Sequence, residues 1–237
     1  MDILYIVMPA YNEQDNIEDV VRKWIPLLDK CDSASKMVVA DSGSSDNTHK
    51  ILLSLCEEYP QLTILDTEYK EHGPKLTALY GYALDKGADY IFQTDSDNQT
   101  SEKDFDRFWE NRKDYDALMG VRNKRGDGLN RKLVSKVLSA IVRLYFGVKM
   151  QDVNVPYRLM SSKALGKCIG DIPTDQFLSN VYLSVLLCRN NCSIGYHEIS
   201  FENRKKGKNS INPVRIVKIG IRALTDFKRL AKQKIYN

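Results

Sequence analysis

Residues 90–99 read Tyr-Ile-Phe-Gln-Thr-Asp-Ser-Asp-Asn-Gln: an apolar, strand-like run that stops at two carboxylates, Asp95 and Asp97. Side chains alternate along a strand, but where the strand gives way to a loop both acids can turn toward one point. Two carboxylates held that close repel unless a cation lies between them. Mg²⁺ or Mn²⁺, bound through one or two carboxylates and completed by phosphate oxygens, answers that geometry. On its own Asp-x-Asp is more often a solvated turn than a metal site. Its position in the chain decides between the two.

The chain has 237 residues, 43% of them hydrophobic, enough for one sizeable α/β core with a short appendage. No apolar run is long enough to span a bilayer, and Met1 to Ala10 lacks the basic start and small-residue cleavage site of a signal peptide. The expected location is therefore the cytosol or the cytoplasmic face of a membrane. Five scattered cysteines, Cys31, Cys56, Cys168, Cys188 and Cys192, read as reduced thiols, because no second pair accompanies Cys188 and Cys192. The net charge of +4 hides a division. From Arg204 to Asn237 there are eleven Lys and Arg against one acid, Asp226, a net +10 that leaves −6 for the other 203 residues. So basic a segment calls for an anionic partner, whether nucleic acid, lipid headgroups or a phosphorylated substrate.

Strands and helices alternate along the first half. Ile3 to Met8 reads as a strand, Glu13 to Leu28 as a helix, Met37 to Ala40 as a strand and the stretch from Ile51 to Tyr59 as a helix. Leu62 to Leu65, Lys75 to Lys86 and Tyr90 to Thr94 continue the series as strand, helix, strand. Such spacing predicts right-handed crossovers and a mainly parallel sheet covered on both faces. Ligands of such sheets gather at the carboxyl ends of the strands. Polar segments fall there: Pro9-Ala10-Tyr11-Asn12-Glu13, then Asp41-Ser42-Gly43-Ser44-Ser45-Asp46, then Gly73-Pro74-Lys75, then Asp95-Ser96-Asp97-Asn98-Gln99. Neither a dinucleotide Gly-x-Gly-x-x-Gly nor a Gly-Lys-Ser/Thr phosphate loop is present, which disfavours both chemistries. The acid ending the second strand could accept hydrogen bonds from a ribose or base, and Lys75 could neutralise a phosphate or simply be a surface residue.

Met8-Pro9-Ala10-Tyr11-Asn12-Glu13, Asp41-Ser42-Gly43-Ser44-Ser45-Asp46-Asn47-Thr48 and Asp95-Ser96-Asp97-Asn98-Gln99, in that order over about the first 125 residues, resemble the motifs of family 2 glycosyltransferases of the GT-A fold. The resemblance implies an α/β, Rossmann-like sheet flanked by helices. It implies that Pro9, Ala10, Tyr11, Glu13, Asp41 and Ser42 hold the nucleoside of a nucleotide sugar, with Lys75, Asp95 and Ser96 also on the donor side. It further implies that Asp95 and Asp97 bind the metal bridging the diphosphate, with Gln99 as an additional ligand.

Ala117 to Val121 reads as a further strand, and Gly120-Val121-Arg122 resembles the Gly-x-Arg of dolichyl-phosphate mannose synthases and bacterial polyprenyl-phosphate glycosyltransferases. Arg131 to about Phe146 reads as a helix in which Lys132, Lys136, Ser139 and Arg143 form a polar, mostly basic stripe and most of the rest is apolar; it is either core or membrane-seated. By resemblance Arg131 and Ser135 meet the lipid phosphate. Asp152 to Met160 is similar to the family's D-x-x-x-x-[FY]-R-L segment, here with Pro156 in place of a common Gly. This implies Asp152 near the sugar and Arg158 bracing the site or meeting phosphate. Ile199 to Ser210 resembles a closing loop whose Arg204 and Ser210 would cover the diphosphate, and Ile211 to Lys234 reads as a basic helix. The expected organisation is a 1–210 GT-A domain, divided into a 1–125 nucleotide-sugar half and a 126–210 acceptor half, followed by the 211–237 basic helix.

Three functions follow from different acceptors or none. An acceptor phosphate is already anionic and needs only cationic positioning, by Arg122 and Arg131, whereas a sugar hydroxyl needs a general base. The candidate base is Asp175 in Pro173-Thr174-Asp175-Gln176, a position that reads more readily as a helix N-cap. The favoured expectation is a metal-dependent, inverting transfer of a hexose to a polyprenyl phosphate, with Asp97, Arg122 and Asp152 as the reacting centre and Mg²⁺ or Mn²⁺ as cofactor. The enzyme would lie peripherally on the membrane, with self-association left open. A glycan-elongating transferase and an idle nucleotide-sugar-binding scaffold are the alternatives. Nucleic acid is disfavoured, because the basic residues of the C-terminal segment are not interleaved with a stacking platform.

Overall fold

β1 (Leu4–Ala10) is buried along its whole length, as a strand must be when it has neighbours on both edges and helices on both faces. In the computed structural model the described residues are 1–122, 129–148, 150–173, 175–202 and 227, and the side chains of 129–137 lie outside that set. β2 (Lys36–Asp41) and β4 (Tyr90–Thr94) pair in parallel with β1 on either side, and β3 (Leu62–Ile64) pairs in parallel with β2. The register sets Ala10 beside Asp41 and Val7 beside Gln93, so the polar ends of β1, β2 and β4 emerge along one rim.

The second half completes a seven-stranded sheet of order β3-β2-β1-β4-β6-β5-β7. β5 (Ala117–Arg122) does not join β4 directly. β6 (Tyr157–Ser161) is inserted between them, antiparallel to both, and β7 (Ile194–Ile199) closes the edge in parallel with β5. The expected GT-A architecture, mainly parallel and flanked by helices, is the one observed. The expected boundary at 210 and the helix 211–234 lie outside the described residues, apart from Phe227.

Alternation along β4 separates the two layers. Phe92 stacks on Trp24 of α1 (Ile17–Trp24) at 5.2 Å and meets Phe105 of α4 (Phe105–Glu110) at 5.0 Å and Tyr157 at 4.8 Å. Gln93, one residue on, faces the opposite layer and accepts a 2.5 Å hydrogen bond from Tyr80 of α3 (His72–Asp85). α2 (Thr48–Glu58) packs on α1, and α3 contacts α6 (Ser162–Ile169) and α7 (Ser179–Arg189).

Two helices differ in extent from the sequence expectation for reasons of proline chemistry. The expected helix Glu13 to Leu28 is α-helical only over Ile17–Trp24 and then tightens into a 3₁₀ segment, Ile25–Lys30; Pro26 supplies no N–H and its ring crowds the preceding turn. α3 starts at His72 rather than Lys75, because Pro74 falls in the first turn, where a missing N–H has no partner to lose.

Arg158 of β6 lies opposite Gln93 and is wholly buried. It donates to the carbonyls of Val155 (2.7 Å), Val153 (2.9 Å) and Asn180 (2.9 Å) and to Ser184 Oγ (3.0 Å). Arg158 therefore braces the loop before β6 against α7, the first of the two roles the resemblance offered. Burial lowers its pKa, but the ring of carbonyls supplies acceptors for the charge. Arg158→Ala is expected to cost about 3 kcal/mol or more, because several buried carbonyls lose their donor together; urea unfolding measures it. Tyr80→Phe, which removes the hydroxyl from Gln93, is expected to cost about 1–2 kcal/mol in the same assay.

Candidate functional site

The loops after β1 and β2 are interlocked. Asn12 adopts a left-handed conformation, φ 54°, that few residues other than Gly, Asn and Asp take up. Its N–H donates to Ser44 Oγ at 2.9 Å, and its side-chain oxygen accepts from the Ser45 N–H at 2.8 Å. Glu13 N–H donates to Thr48 Oγ1 at 2.8 Å, and Asp46 accepts from Gln14 N–H on one oxygen and from Thr48 N–H on the other. Much of Asn-Glu and Ser-Ser-Asp-Asn-Thr thus fastens two strand ends together. The Glu13 carboxylate, expected beside the nucleoside, is buried and accepts from Asn16 at 2.8 Å.

Asp41, at the end of β2, is buried. One of its oxygens accepts from Ser44 Oγ at 2.5 Å, and the other faces His49 Nδ1 at 3.3 Å. Tyr11 is half exposed and lies over Lys75, ring centroid to Nζ 5.5 Å. Lys75 differs from expectation. Its ammonium turns inward, 1% exposed, and donates to the carbonyls of Ala10 (2.7 Å) and Ser42 (3.2 Å). Burial pushes its pKa below the ordinary lysine range, while the Asp41 carboxylate opposes that shift. Ser42 Oγ bonds Thr67 Oγ1 at 2.8 Å, and Ser96 Oγ donates to the Pro9 carbonyl at 2.9 Å. Pro9, Ala10, Ser42, Lys75 and Ser96 therefore join the ends of β1, β2 and β4 and the start of α3 into one rigid floor.

Asp95 and Asp97 rise from that floor. Asp95 Oδ1 faces His72 Nε2 at 3.2 Å, and Asp97 Oδ1 accepts from the Gln99 N–H at 3.2 Å. The Gln99 amide is buried, with Nε2 donating to the Glu202 carbonyl at 2.9 Å. That bond fixes which end of the amide is oxygen and leaves the oxygen as an acceptor. Among the described residues no group of three His, Cys, Asp or Glu forms a closed metal site. Two carboxylates with an oriented amide oxygen are hard donors that fit Mg²⁺ or Mn²⁺ when a ligand diphosphate completes the shell.

On the far side, Arg122 ends β5 and binds Asp152 through Nε (2.8 Å) and Nη2 (2.6 Å) to the same oxygen. The pair is mostly buried, and the guanidinium sits 5.0 Å from the Phe201 ring centroid. Phe201 bridges to Thr100, and Glu202 N–H donates to Gln99 O at 2.8 Å. The carboxylate loop and the Arg122 pair are thus mechanically connected through residues 201–202. Gly120 is closely packed: a Cβ there would lie 2.8 Å from the end of the Ile199 side chain and 3.1 Å from Tyr157 Cβ, so Ile199 would have to shift.

Asp175 is not the N-cap of α7, which begins at Ser179 with Leu178 in the cap position. The polar role at that end falls to Gln176, whose side-chain oxygen accepts from the Leu178 N–H at 2.9 Å. The segment is pressed against the first turn of α3, because a Cβ on Gly73 would stand 2.0 Å from the Gln176 carbonyl. That turn also carries His72. Of the remaining expected residues, Arg204 and Ser210 lie outside the described set, and Arg131 and Ser135 belong to α5 (Leu129–Phe146) at positions whose side chains are not described. His49 and His72 escaped the reading of the sequence. Each is an isolated histidine near a motif, and only the fold brings it to a carboxylate.

Comparison with known proteins agrees with the fold and supplies the family. Undecaprenyl-phosphate 4-deoxy-4-formamido-L-arabinose transferase of Sodalis glossinidius is 28% identical over 156 residues, 64% of this chain and 47% of its own length. The Edwardsiella ictaluri protein of the same name is 24% identical over 161 residues, 68% of this chain and 49% of its own. The chain thus spans about half the length of these curated relatives. Glucosyl-3-phosphoglycerate synthase of Mycobacterium tuberculosis, solved with Mn²⁺ and UDP-glucose, superposes with a TM-score of 0.67 at 17% identity, covering 95% of this chain and 79% of that one, a likeness of fold. Residues 5–167 match the family described as glycosyl transferase family 2, and the chain belongs to that family.

Proposed function

We propose that this chain is a metal-dependent, inverting glycosyltransferase that moves a sugar, read as a hexose, from a UDP- or GDP-linked donor to a polyprenyl phosphate at a membrane surface. The observation that carries the reading is that Asp41 ends β2 and Asp95 and Asp97 follow β4 along one rim of the sheet, with Gln99 connected through residues 201–202 to Arg122. The names of the curated relatives support the acceptor class. Under this reading residues 1–210 are the catalytic domain, 1–125 its donor half and 126–210 its acceptor half, and 211–237 is a basic helix.

Asp41 and Tyr11 would hold the nucleoside, the first by accepting hydrogen bonds and the second by its exposed ring. Asp95, Asp97 and the Gln99 oxygen would hold Mg²⁺ or Mn²⁺, which when bound offsets negative charge on the departing diphosphate. Lys75 contributes by rigidity rather than by contact with phosphate. Arg122, oriented by Asp152, would position the acceptor phosphate together with Arg131 and Ser135, and Arg204 and Ser210 would cover the diphosphate. An acceptor phosphate oxygen attacks the anomeric carbon from the face opposite the diphosphate. The bond from that carbon to the diphosphate oxygen breaks, and its electron pair leaves with the nucleoside diphosphate. The acceptor oxygen carries no proton to be removed, so no general base is needed.

The pressed position of the 175–178 segment on α3 favours one alternative, a glycan-elongating transferase with Asp175 as base. The test is to incubate the protein with labelled UDP- and GDP-sugars and a polyprenyl phosphate and ask which label enters the organic phase. Asp97→Ala is expected to lower turnover by about 10³-fold, whereas Asp175→Asn keeps most of it. Equal damage from both variants would transfer the assignment to the glycan-elongating enzyme. Chelation is expected to abolish label transfer, and added Mg²⁺ or Mn²⁺ to restore it.

A further inference from the structure

His72 is the first residue of α3, and its backbone is fixed from two sides. One residue on, Gly73 stands so close to the segment before α7 that a Cβ there would lie 2.0 Å from the Gln176 carbonyl and 2.9 Å from that of Phe177. Three residues on, Lys75 is held by the carbonyls of Ala10 and Ser42. Gly73, Pro74 and Lys75 are all buried, so the turn is set between α7 and the strand ends. The imidazole is what this turn leaves open. It is 46% exposed, and its Nε2 faces Asp95 Oδ1 at 3.2 Å, with the Asp95 side chain itself 26% exposed. Both groups therefore keep a side to which a small ion has access.

A neutral imidazole presents one ring nitrogen with a lone pair and is a common metal ligand. In an octahedral shell with bonds of about 2.1 Å, neighbouring donors stand about 3.0 Å apart. A nitrogen and a carboxylate oxygen 3.2 Å apart thus already have the spacing of two adjacent ligands of one ion. The other histidine–carboxylate contact, His49 with Asp41, is placed differently. Asp41 accepts from Ser44 Oγ on its second oxygen and lies beside the Lys75 ammonium, which repels a cation. Asp95 instead has the Asp97 carboxylate two residues on. The described residues hold no closed set of three His, Cys, Asp or Glu ligands, so a diphosphate must complete the shell, and one further protein donor at its edge weighs heavily in which ion is taken.

We propose that His72 is a nitrogen ligand of the metal site, in addition to Asp95, Asp97 and Gln99, and that it gives the site a preference for Mn²⁺ over Mg²⁺. Mg²⁺ keeps oxygen ligands and gives up its water reluctantly; of the two ions, Mn²⁺ is the transition metal and the one that takes an imidazole nitrogen alongside carboxylates. The inference rests on the metal site of the proposed function, but not on the acceptor or on the transfer reaction.

The experiment is titration of the full chain with Mn²⁺ in the presence of UDP or GDP, followed by electron paramagnetic resonance, with Mg²⁺ as competitor. It is run beside transfer of labelled sugar to a polyprenyl phosphate. Wild-type protein is expected to bind Mn²⁺ about tenfold more tightly than Mg²⁺ and to show, in pulsed spectra, the nitrogen hyperfine coupling of a directly bound imidazole. His72→Ala is expected to lose the coupling and weaken Mn²⁺ binding about tenfold, with Mg²⁺ binding changed by about twofold or less. His72→Gln, which offers an oxygen at similar reach, is expected to lose the coupling, keep the ion and narrow the gap between Mn²⁺ and Mg²⁺. Mn²⁺ bound to wild type without nitrogen coupling overturns the proposal, as does a coupling that survives His72→Ala. Equal weakening of Mn²⁺ and Mg²⁺ in His72→Ala also overturns it, and leaves His72 as a residue that only orients Asp95. Wild-type protein that binds neither ion with either nucleotide overturns it together with the metal site itself. Nitrogen coupling that is lost in His72→Ala, in a protein that transfers no label, sustains the ligand and removes the reaction.

Discussion

The rim of this sheet depends on one buried ammonium. Lys75 projects from the first turn of α3 and draws the carbonyls of Ala10 and Ser42 toward a single nitrogen. Those carbonyls belong to the ends of neighbouring strands, where the ladder between β1 and β2 has run out. Without a donor they would be desolvated and unpaired, and without them the ammonium would be a buried charge with nothing to balance its lost hydration. Each side of the contact therefore requires the other. The same contact places the Tyr11 ring over the cation and keeps Asp41 near it. A lysine on a surface helix would pay rotamer entropy for such an alignment; here the packing of α3 on β1 and β2 has already fixed the geometry.

From that floor the candidate site divides into a rigid half and a connected half. The loops after β1 and β2 are bound to each other by reciprocal bonds between Asn12–Gln14 and Ser44–Thr48. Preorganised groups of this kind need little rearrangement when a ligand arrives, which is what charge stabilisation in a transferase would require. The Arg122 side is attached through Gln99, Thr100, Phe201 and Glu202.

The sequence was most legible where one residue type has one reason to be present. The periodicity of β1, β2 and β4 marked buried parallel strands, and the order of polar segments at their ends marked the rim. It was least legible where a polar residue has two plausible destinations. Lys75 read as a residue that could neutralise a phosphate or lie on the surface, yet its ammonium is buried on the carbonyls of Ala10 and Ser42. Arg158 offered two roles, and the structure gives the structural one. The antiparallel insertion of β6 left no trace in periodicity, because a short buried strand reads alike in either direction. The pairing of His49 with Asp41 and of His72 with Asp95 is created by tertiary placement alone, since eight and twenty-three residues separate the partners.

α5 illustrates why a broad apolar face admits two readings. Its inner side packs at Val142 as any core helix does, so the core reading is correct for that side. Its outer side carries Leu144 exposed beside Arg143, and among the described residues nothing packs over it. Stability alone would permit a polar residue at that position, because a helix surface gains nothing from an exposed γ-branched side chain beyond propensity.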